Sequence, residues 1–159
     1  MIAENQKGLE GLPLQLTIIA IVLGITIPII VGALYSYDRF NTEQQLRNEL
    51  GILANAVKKV FLGTLNSSDT VTLHLNDGFF TKLEYIKVGG PITQTTNTTM
   101  IVYKLIGMGE GRIVITNPNV RMCSEKNDTF EMGRGVYTLI LTCKSNSSVG
   151  IYVEITKAD

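Results

Sequence analysis

The chain has 159 residues, of which 45% are hydrophobic and only 18% are charged, against about 25% charged in a typical soluble domain. Its 14 Lys and Arg residues balance its 14 Asp and Glu residues, so it lacks the basic excess that nucleic-acid binding requires. The mean hydropathy is +0.20, and the apolar residues are concentrated near the N-terminus. This length suits one modest domain with an appendage.

The N-terminal region contains a long uncharged segment. Residues 11–37 include no charged side chain, and residues 16–35 are almost entirely apolar. About twenty helical residues span ~30 Å, which is the thickness of the hydrocarbon core of a bilayer. A helix at the surface of a soluble core would show a polar face, and this segment shows none. It is therefore predicted to be a transmembrane helix, with a kink or loosened turn where Pro28 removes a backbone donor.

Three interpretations of this segment are open. It is a secretory signal peptide cleaved after Ala33, a plain single-span anchor, or a pilin-type helix from which only a short leader is removed. The uncharged run is longer than the apolar region of a usual signal peptide, and the preceding residues Glu4, Lys7 and Glu10 carry no positive bias. The residues that follow the segment favour the third interpretation.

Between residues 37 and 61 the pattern becomes amphipathic. Apolar residues recur at alternating steps of four and three, which places them on one helical face: Leu46, Leu50, Leu53, Val57 and Val60. No proline separates this stretch from the apolar segment, so one continuous helix over residues 14–62 is expected; alternatively, Asn41 caps a separate second helix. The one-sided half needs a partner surface, most simply a β-sheet. Leu46, Leu50, Leu53 and Val57 are the predicted helix-packing residues.

The remainder of the chain reads as β-structure. Short apolar runs between turn signals predict five to seven antiparallel strands, which include residues 71–75, 79–88, 100–106, 112–116, 136–143 and 151–155. Asn76-Asp77-Gly78 predicts a turn through which the second strand returns along the first. Two further hairpins are predicted, one through residues 107–111 and one through residues 145–150. The predicted fold class is α+β, a long apolar-to-amphipathic N-terminal helix packed on a C-terminal antiparallel β-sheet or sandwich.

No motif in the sequence indicates catalysis. Gly107, Gly109 and Gly111 resemble a phosphate-binding loop, but a strand follows them where such a loop would open a helix. His74 is the only histidine and lies on the polar side of a predicted strand, without the Cys or His spacing of a metal site. Neither a nucleophile elbow nor a carboxylate pair is evident. We therefore predict no catalytic, cofactor-binding or metal-binding residues, and the chain is not expected to be an enzyme.

A family resemblance follows from the N-terminal pattern. A short charged leader, an apolar helix that becomes amphipathic, and a β-rich remainder resemble the archaeal type IV pilins, which carry class III signal peptides. Lys7-Gly8-Leu9 is similar to their cleavage site, and Glu10-Gly11-Leu12-Pro13 is a second candidate. The resemblance implies processing at Gly8–Leu9 or Gly11–Leu12. It divides the chain into a leader region (1–11), a helix (12–62) and an extracellular β-rich domain (63–159).

The resemblance also implies a function. The chain is expected to be a pilin that polymerises with identical subunits through its apolar helix, with adhesion among the roles of such filaments. The helix is in the membrane before assembly and in the core of an extracellular surface filament afterwards. The implied partners are a prepilin peptidase, an assembly ATPase and a membrane platform protein. Two other hypotheses are an anchored extracellular binding, surface-layer or stator-type protein that does not polymerise, and, more weakly, a secreted enzyme cleaved after Ala33.

Cysteines and glycosylation sequons indicate an exported domain. Cys123 and Cys143 are the only cysteines, and a pair of thiols in an exported domain commonly forms a disulfide, here predicted to contribute roughly 3 kcal/mol. The alternative is two buried free thiols. Four Asn-x-Ser/Thr sequons fall in predicted loops or strand boundaries, and each is a predicted glycosylation site: Asn66, Asn97, Asn127 and Asn146.

Overall fold

A computed structural model describes residues 6–94 and 97–158, with side chains described from residue 13 onward. The chain divides into two compact units, Met1–Asp38 and Arg39–Asp159. The first long element is a single helix, α1 (Gln6–Phe61). The prediction of one continuous helix is therefore confirmed. Asn41 lies inside α1 and does not begin a second helix, because the residues on both sides of it continue the helix without a break.

In the described residues, eight strands follow the helix and form two four-stranded sheets. They are β1 (Ser68–Leu75), β2 (Leu83–Val88), β3 (Met100–Leu105), β4 (Glu110–Val114), β5 (Met122–Ser124), β6 (Phe130–Met132), β7 (Gly135–Asn146) and β8 (Gly150–Lys157). The strand order is β1-β7-β8-β5 in the first sheet and β4-β3-β2-β6 in the second. The predicted α+β class is confirmed. Strand pairing is antiparallel except between β5 and β8, which run parallel.

The three predicted hairpins have different outcomes. The hairpins β3–β4 and β7–β8 form as expected. The prediction of a hairpin between the first two strands is wrong. β1 pairs with β7, whereas β2 pairs with β3 and β6 in the other sheet. The Asp77 carboxylate accepts a hydrogen bond from the Leu83 backbone N–H (2.9 Å). The chain between them forms a loop that leads into the second sheet.

The second half of α1 and both sheets share one hydrophobic core. Leu50, Leu53 and Val57 are completely buried, and Leu46 is nearly so. They belong to the same cluster as the inward side chains of the strands, such as Leu73 on β1. Burying one such leucine contributes roughly 1.5–3 kcal/mol. The four helix-packing residues therefore face the interior of the unit Arg39–Asp159.

Polar contacts fix the helix along the edge strand β1. Glu49 on α1 accepts a hydrogen bond from the His74 backbone N–H (2.9 Å), and Lys59 forms an ion pair with Asp69 (2.8 Å). Because β1 has a strand partner only on its β7 side, these helix side chains cover its free edge. An uncovered edge would present unpaired backbone groups to another chain.

Candidate membrane and assembly site

The described part of the unit Met1–Asp38 presents a predominantly apolar surface. Every residue from 13 to 37 is solvent-exposed in the single chain, and Ile29, for example, is 66% exposed. An apolar surface of this extent requires cover by lipid or by other chains. By length and composition, the helix meets the requirements for crossing a membrane.

Two hydroxyl groups in this segment bond to the backbone of the helix itself. The Thr17 hydroxyl donates to the Pro13 carbonyl (2.8 Å), and the Thr26 hydroxyl donates to the Val22 carbonyl (2.6 Å). Such bonds allow hydroxyl side chains to lie in an apolar environment without an external partner. Pro28 has no N–H, so the carbonyl four residues earlier lacks its usual helical donor.

Two glycines leave gaps in the apolar surface. A Cβ atom built on Gly24 or on Gly32 would meet no heavy atom within 4 Å. Small residues allow helix backbones to approach closely when helices pack in a membrane or in a bundle. Both positions are therefore candidate contact points between helices of separate chains.

The predicted processing sites fall outside the described side chains. Gly8, Leu9, Gly11 and Leu12 belong to the stretch before residue 13, whose side chains the structure does not describe. Leader cleavage therefore stays a prediction from the sequence.

A polar anchor attaches α1 to the second sheet, and sequence reasoning missed it. The Tyr103 hydroxyl donates to the Glu43 carboxylate (3.1 Å), which also pairs with Arg47 (2.9 Å). The Arg47 guanidinium lies 5.6 Å from the centre of the Tyr103 ring, within the range of a cation–π contact. Burial, supported by the hydrogen bond to Glu43, raises the pKa of Tyr103 to about 12.

Gly111 leaves the space that the Tyr103 ring occupies. It lies opposite Tyr103 in the β3–β4 ladder, and a Cβ atom at this position would lie 2.1 Å from the ring. Glycine is thus required because the buried ring occupies the space of a side chain. The sequence signals were the Glu43/Arg47 spacing of four residues and the glycine in a strand, but neither identified Tyr103 as the partner.

The structure contradicts the predicted disulfide. Cys123 lies on β5 and Cys143 on β7, and β8 separates them in the first sheet. Two strand spacings place their Cα atoms roughly 10 Å apart, beyond the ~7 Å that a disulfide tolerates. Cys143 is opposite Val153 and Cys123 is opposite Glu154, so the two thiols point to opposite faces of the sheet. Both are free and buried, and burial raises the pKa of the Cys123 thiol to about 11.

The four sequons lie on turns and loops at the surface. Asn66, Asn97 and Asn127 are exposed, and Asn146 is half-buried. The Asn127 side-chain oxygen accepts a hydrogen bond from the Ile92 N–H, and that of Asn146 accepts one from the Ser148 N–H (both 2.9 Å). These bonds use the amide oxygen and not the amide nitrogen, which is the atom that would carry a glycan. Glycosylation of the four asparagines stays a prediction.

Other polar side chains of the described residues lie on the surface of the second sheet. The described residues contain no cluster of three or more His, Cys, Asp or Glu side chains suited to a metal ion. A surface groove of about 170 Å³ on the second sheet includes Lys87 and Arg112. These cations form ion pairs with Glu131 and Glu110, respectively. The charge of each cation is therefore balanced by a neighbouring carboxylate.

Comparisons with known proteins do not assign the chain to a family. It matches no protein-family model and no curated protein, and its fold matches no solved structure. The features of the chain that bear on its function are the exposed apolar half of α1 and the buried half that follows it.

Proposed function

We propose that the chain is a structural subunit, a pilin, of an archaeal type IV pilus-like surface filament. The observation that carries the proposal is the division of α1. Residues 13–37 are predominantly apolar and exposed, whereas Leu50, Leu53 and Val57 further along the same helix are completely buried in the β-rich unit. The first part of the helix therefore needs apolar cover from lipid or from another chain. The β-rich unit has a hydrophobic core of its own and needs no such cover.

Assembly exchanges one apolar partner for another. Before polymerisation the exposed segment lies in lipid, and in the filament it packs against the same segment of neighbouring subunits. The internal hydrogen bonds of Thr17 and Thr26 suit both environments, because neither hydroxyl depends on an outside partner. A head-to-tail contact that does not close on itself produces an open helical filament. A leader peptidase, an assembly ATPase and a membrane platform protein are the partners that the family resemblance adds.

The alternative is a membrane-anchored extracellular protein that never polymerises. The same helix would then stay in lipid permanently, and the β-rich unit would act as a binding or surface-layer module. The two functions differ in whether the helix surface contacts protein, and substitutions that add apolar bulk to that surface separate them.

Gly24→Leu and Gly32→Leu test the proposal. Because a Cβ at either glycine meets no neighbouring atom within the chain, the added side chain disturbs nothing in the subunit. It also raises helix propensity by roughly 1 kcal/mol. We expect normal amounts of both variants in the membrane but few or no filaments by electron microscopy of the host cells. Gly51→Leu is the matched control, since Gly51 is also an open helical position but lies outside the apolar segment.

Two results would count against the subunit hypothesis. One is normal filament formation in cells that carry either glycine variant, when mass spectrometry of those filaments does not find the variant chain. The other is mass spectrometry of purified surface fibres that never finds the wild-type chain. Either result would leave the anchored, non-polymerising protein as the better account.

A further inference from the structure

The two ends of the unit Arg39–Asp159 can be distinguished from its internal contacts. On α1, Glu49 contacts His74 and Lys59 contacts Asp69, so β1 runs opposite to the helix. Consequently the end at which α1 enters this unit, near Arg39, is also the end at which β1 finishes. Arg39 is joined through Asp38 to the apolar segment of the helix.

Three loops meet at this end and are joined to one another by hydrogen bonds and an ion pair. Asp77 accepts a hydrogen bond from the Leu83 N–H and pairs with Arg134 (3.2 Å), which joins the loop after β1 to the loop before β7. The Ile106 N–H donates to the Lys82 carbonyl (2.8 Å), which adds the turn after β3. We call the surface formed by residues 78–82, 106–109 and 133–136 the apolar end.

Large apolar side chains project from the apolar end. Phe79 is 86% exposed and Phe80 is 44% exposed, and their rings meet edge to face with centroids 4.7 Å apart. Ile106 and Val136 are also more than half exposed. These four exposed side chains lie on segments that meet at one end of a small unit, and exposed apolar surface gathered in this way marks an interaction surface.

Three basic residues lie in or near this patch. Lys82, Arg134 and Lys157 are exposed, and Asp77 balances one of these charges through its pair with Arg134. Protein surfaces that lie in the membrane interface carry Trp, Phe or Leu on the side that enters the boundary between headgroups and acyl chains, together with Lys and Arg. Lys and Arg are attracted to the phosphates of anionic lipids. The combination of rings and cations therefore matches a lipid headgroup surface.

The four sequons lie away from the apolar end. Asn66 follows the C-terminal end of α1, and its N–H bonds to the Cys143 carbonyl next to the start of β1. Asn146 is the last residue of β7, next to the turn that leads into β8. Asn97 precedes β3 beyond the far end of β2, and Asn127 bonds to Ile92 in the same region. Attached glycans would thus leave the apolar end uncovered.

We propose that the apolar end rests on the outer surface of the membrane while the chain is anchored there, with Phe79 and Phe80 at the level of the headgroups. Lys82 and Arg134 then lie close to lipid phosphates. This inference rests on the membrane location in the proposed function, and it does not depend on polymerisation. The occupant of the patch is a lipid surface, which positions the β-rich unit before assembly.

A single tryptophan tests the contact directly, because the chain contains none. The full-length Phe79→Trp variant is placed in vesicles of anionic phospholipid that carry bromine atoms near the headgroup end of their acyl chains. We expect its fluorescence to be quenched several-fold more than that of Ile151→Trp, an exposed position in the hairpin away from the apolar end. Brominated lipid in both leaflets makes the result independent of the direction of insertion.

A charge reversal adds a second readout. Lys82→Glu in the Phe79→Trp background is expected to reduce quenching in anionic vesicles but not in zwitterionic ones. Equal, weak quenching at positions 79 and 151 would overturn the lipid contact, even if the wild-type chain forms filaments. Strong quenching at position 79 with no filaments in the host would support the lipid contact and remove only the polymerisation proposal.

Discussion

Tyr103→Phe isolates the polar anchor between α1 and the second sheet. The substitution keeps the ring against Gly111 and removes only the hydroxyl that donates to Glu43 (3.1 Å). A hydrogen bond to a charged group contributes about 1.5–3 kcal/mol. We therefore expect the variant to unfold more easily than the wild type by roughly that amount at pH 9, where the phenol is neutral in both the folded and the unfolded state.

The contribution of this hydroxyl must fall at alkaline pH. Burial, together with Glu43, raises the pKa of Tyr103 from 10.0 to about 12 in the folded protein. A folded pKa above the unfolded value means that the stabilisation is complete below pH 10 and is lost as the pH rises towards 12. The slope is about 1.36 kcal/mol per pH unit, which amounts to about 3 kcal/mol over this interval. The stability difference between wild type and variant should therefore vanish or change sign.

Guanidinium unfolding of the full-length chain in detergent micelles, followed by circular dichroism at several pH values, measures this difference. The other tyrosines are common to both proteins, so their titration cancels. Glu43→Gln is the control background: the pH-dependent part should shrink there but persist, since burial is the larger cause of the pKa shift. A difference between wild type and Tyr103→Phe that stays constant from pH 9 to pH 12 would refute the reasoning.

Three further predictions concern packing and the thiols. Leu53→Ala should lower the free energy of unfolding by about 2–5 kcal/mol, whereas Ile52→Ala, half exposed on the adjacent helical position, should change it by no more than about 0.5 kcal/mol; denaturant titration compares them. Gly111→Ala should cost about 1–3 kcal/mol by forcing the buried ring to move, while thermal melting of Gly109→Ala, an open position, should match the wild type. The Cys123 thiol, with its raised pKa, should react with an alkylating reagent only after unfolding, and peptide mapping without reductant should find no bond between the two cysteines.

The helix was predictable from the sequence because its signals are local. The absence of charge over residues 11–37 and the steps of four and three from Leu46 to Val60 both follow from helical periodicity. The hairpins β3–β4 and β7–β8 were predictable for the same reason, since each turn lies between the strands it joins. β5 and β6 were missed because a strand of three residues is too short to show an alternating pattern.

The errors concern contacts between distant residues. The Asn76-Asp77-Gly78 turn signal is local, and it does not reveal that β1 pairs with β7, where Ser68 lies opposite Thr142. The disulfide was predicted from the compartment and the cysteine count alone. Its geometry depends on β8 lying between the two cysteines, which only the sheet order shows. The Glu43–Tyr103 contact spans 60 residues, and no periodicity connects its two partners.

The pairing of β1 with β7 determines when the protein can fold during synthesis. The amphipathic half of α1 leaves the ribosome early, but the strands that complete its core, β7 and β8, are the last to be made. Pairing over such a sequence separation is slow, because the loop must close before the contacts stabilise it. The apolar stripe of Leu46, Leu50 and Leu53 therefore cannot be buried in the core until the end of the chain has been made. If the helix is held at a bilayer surface during this delay, the interface of the bilayer can cover that stripe and keep it out of water.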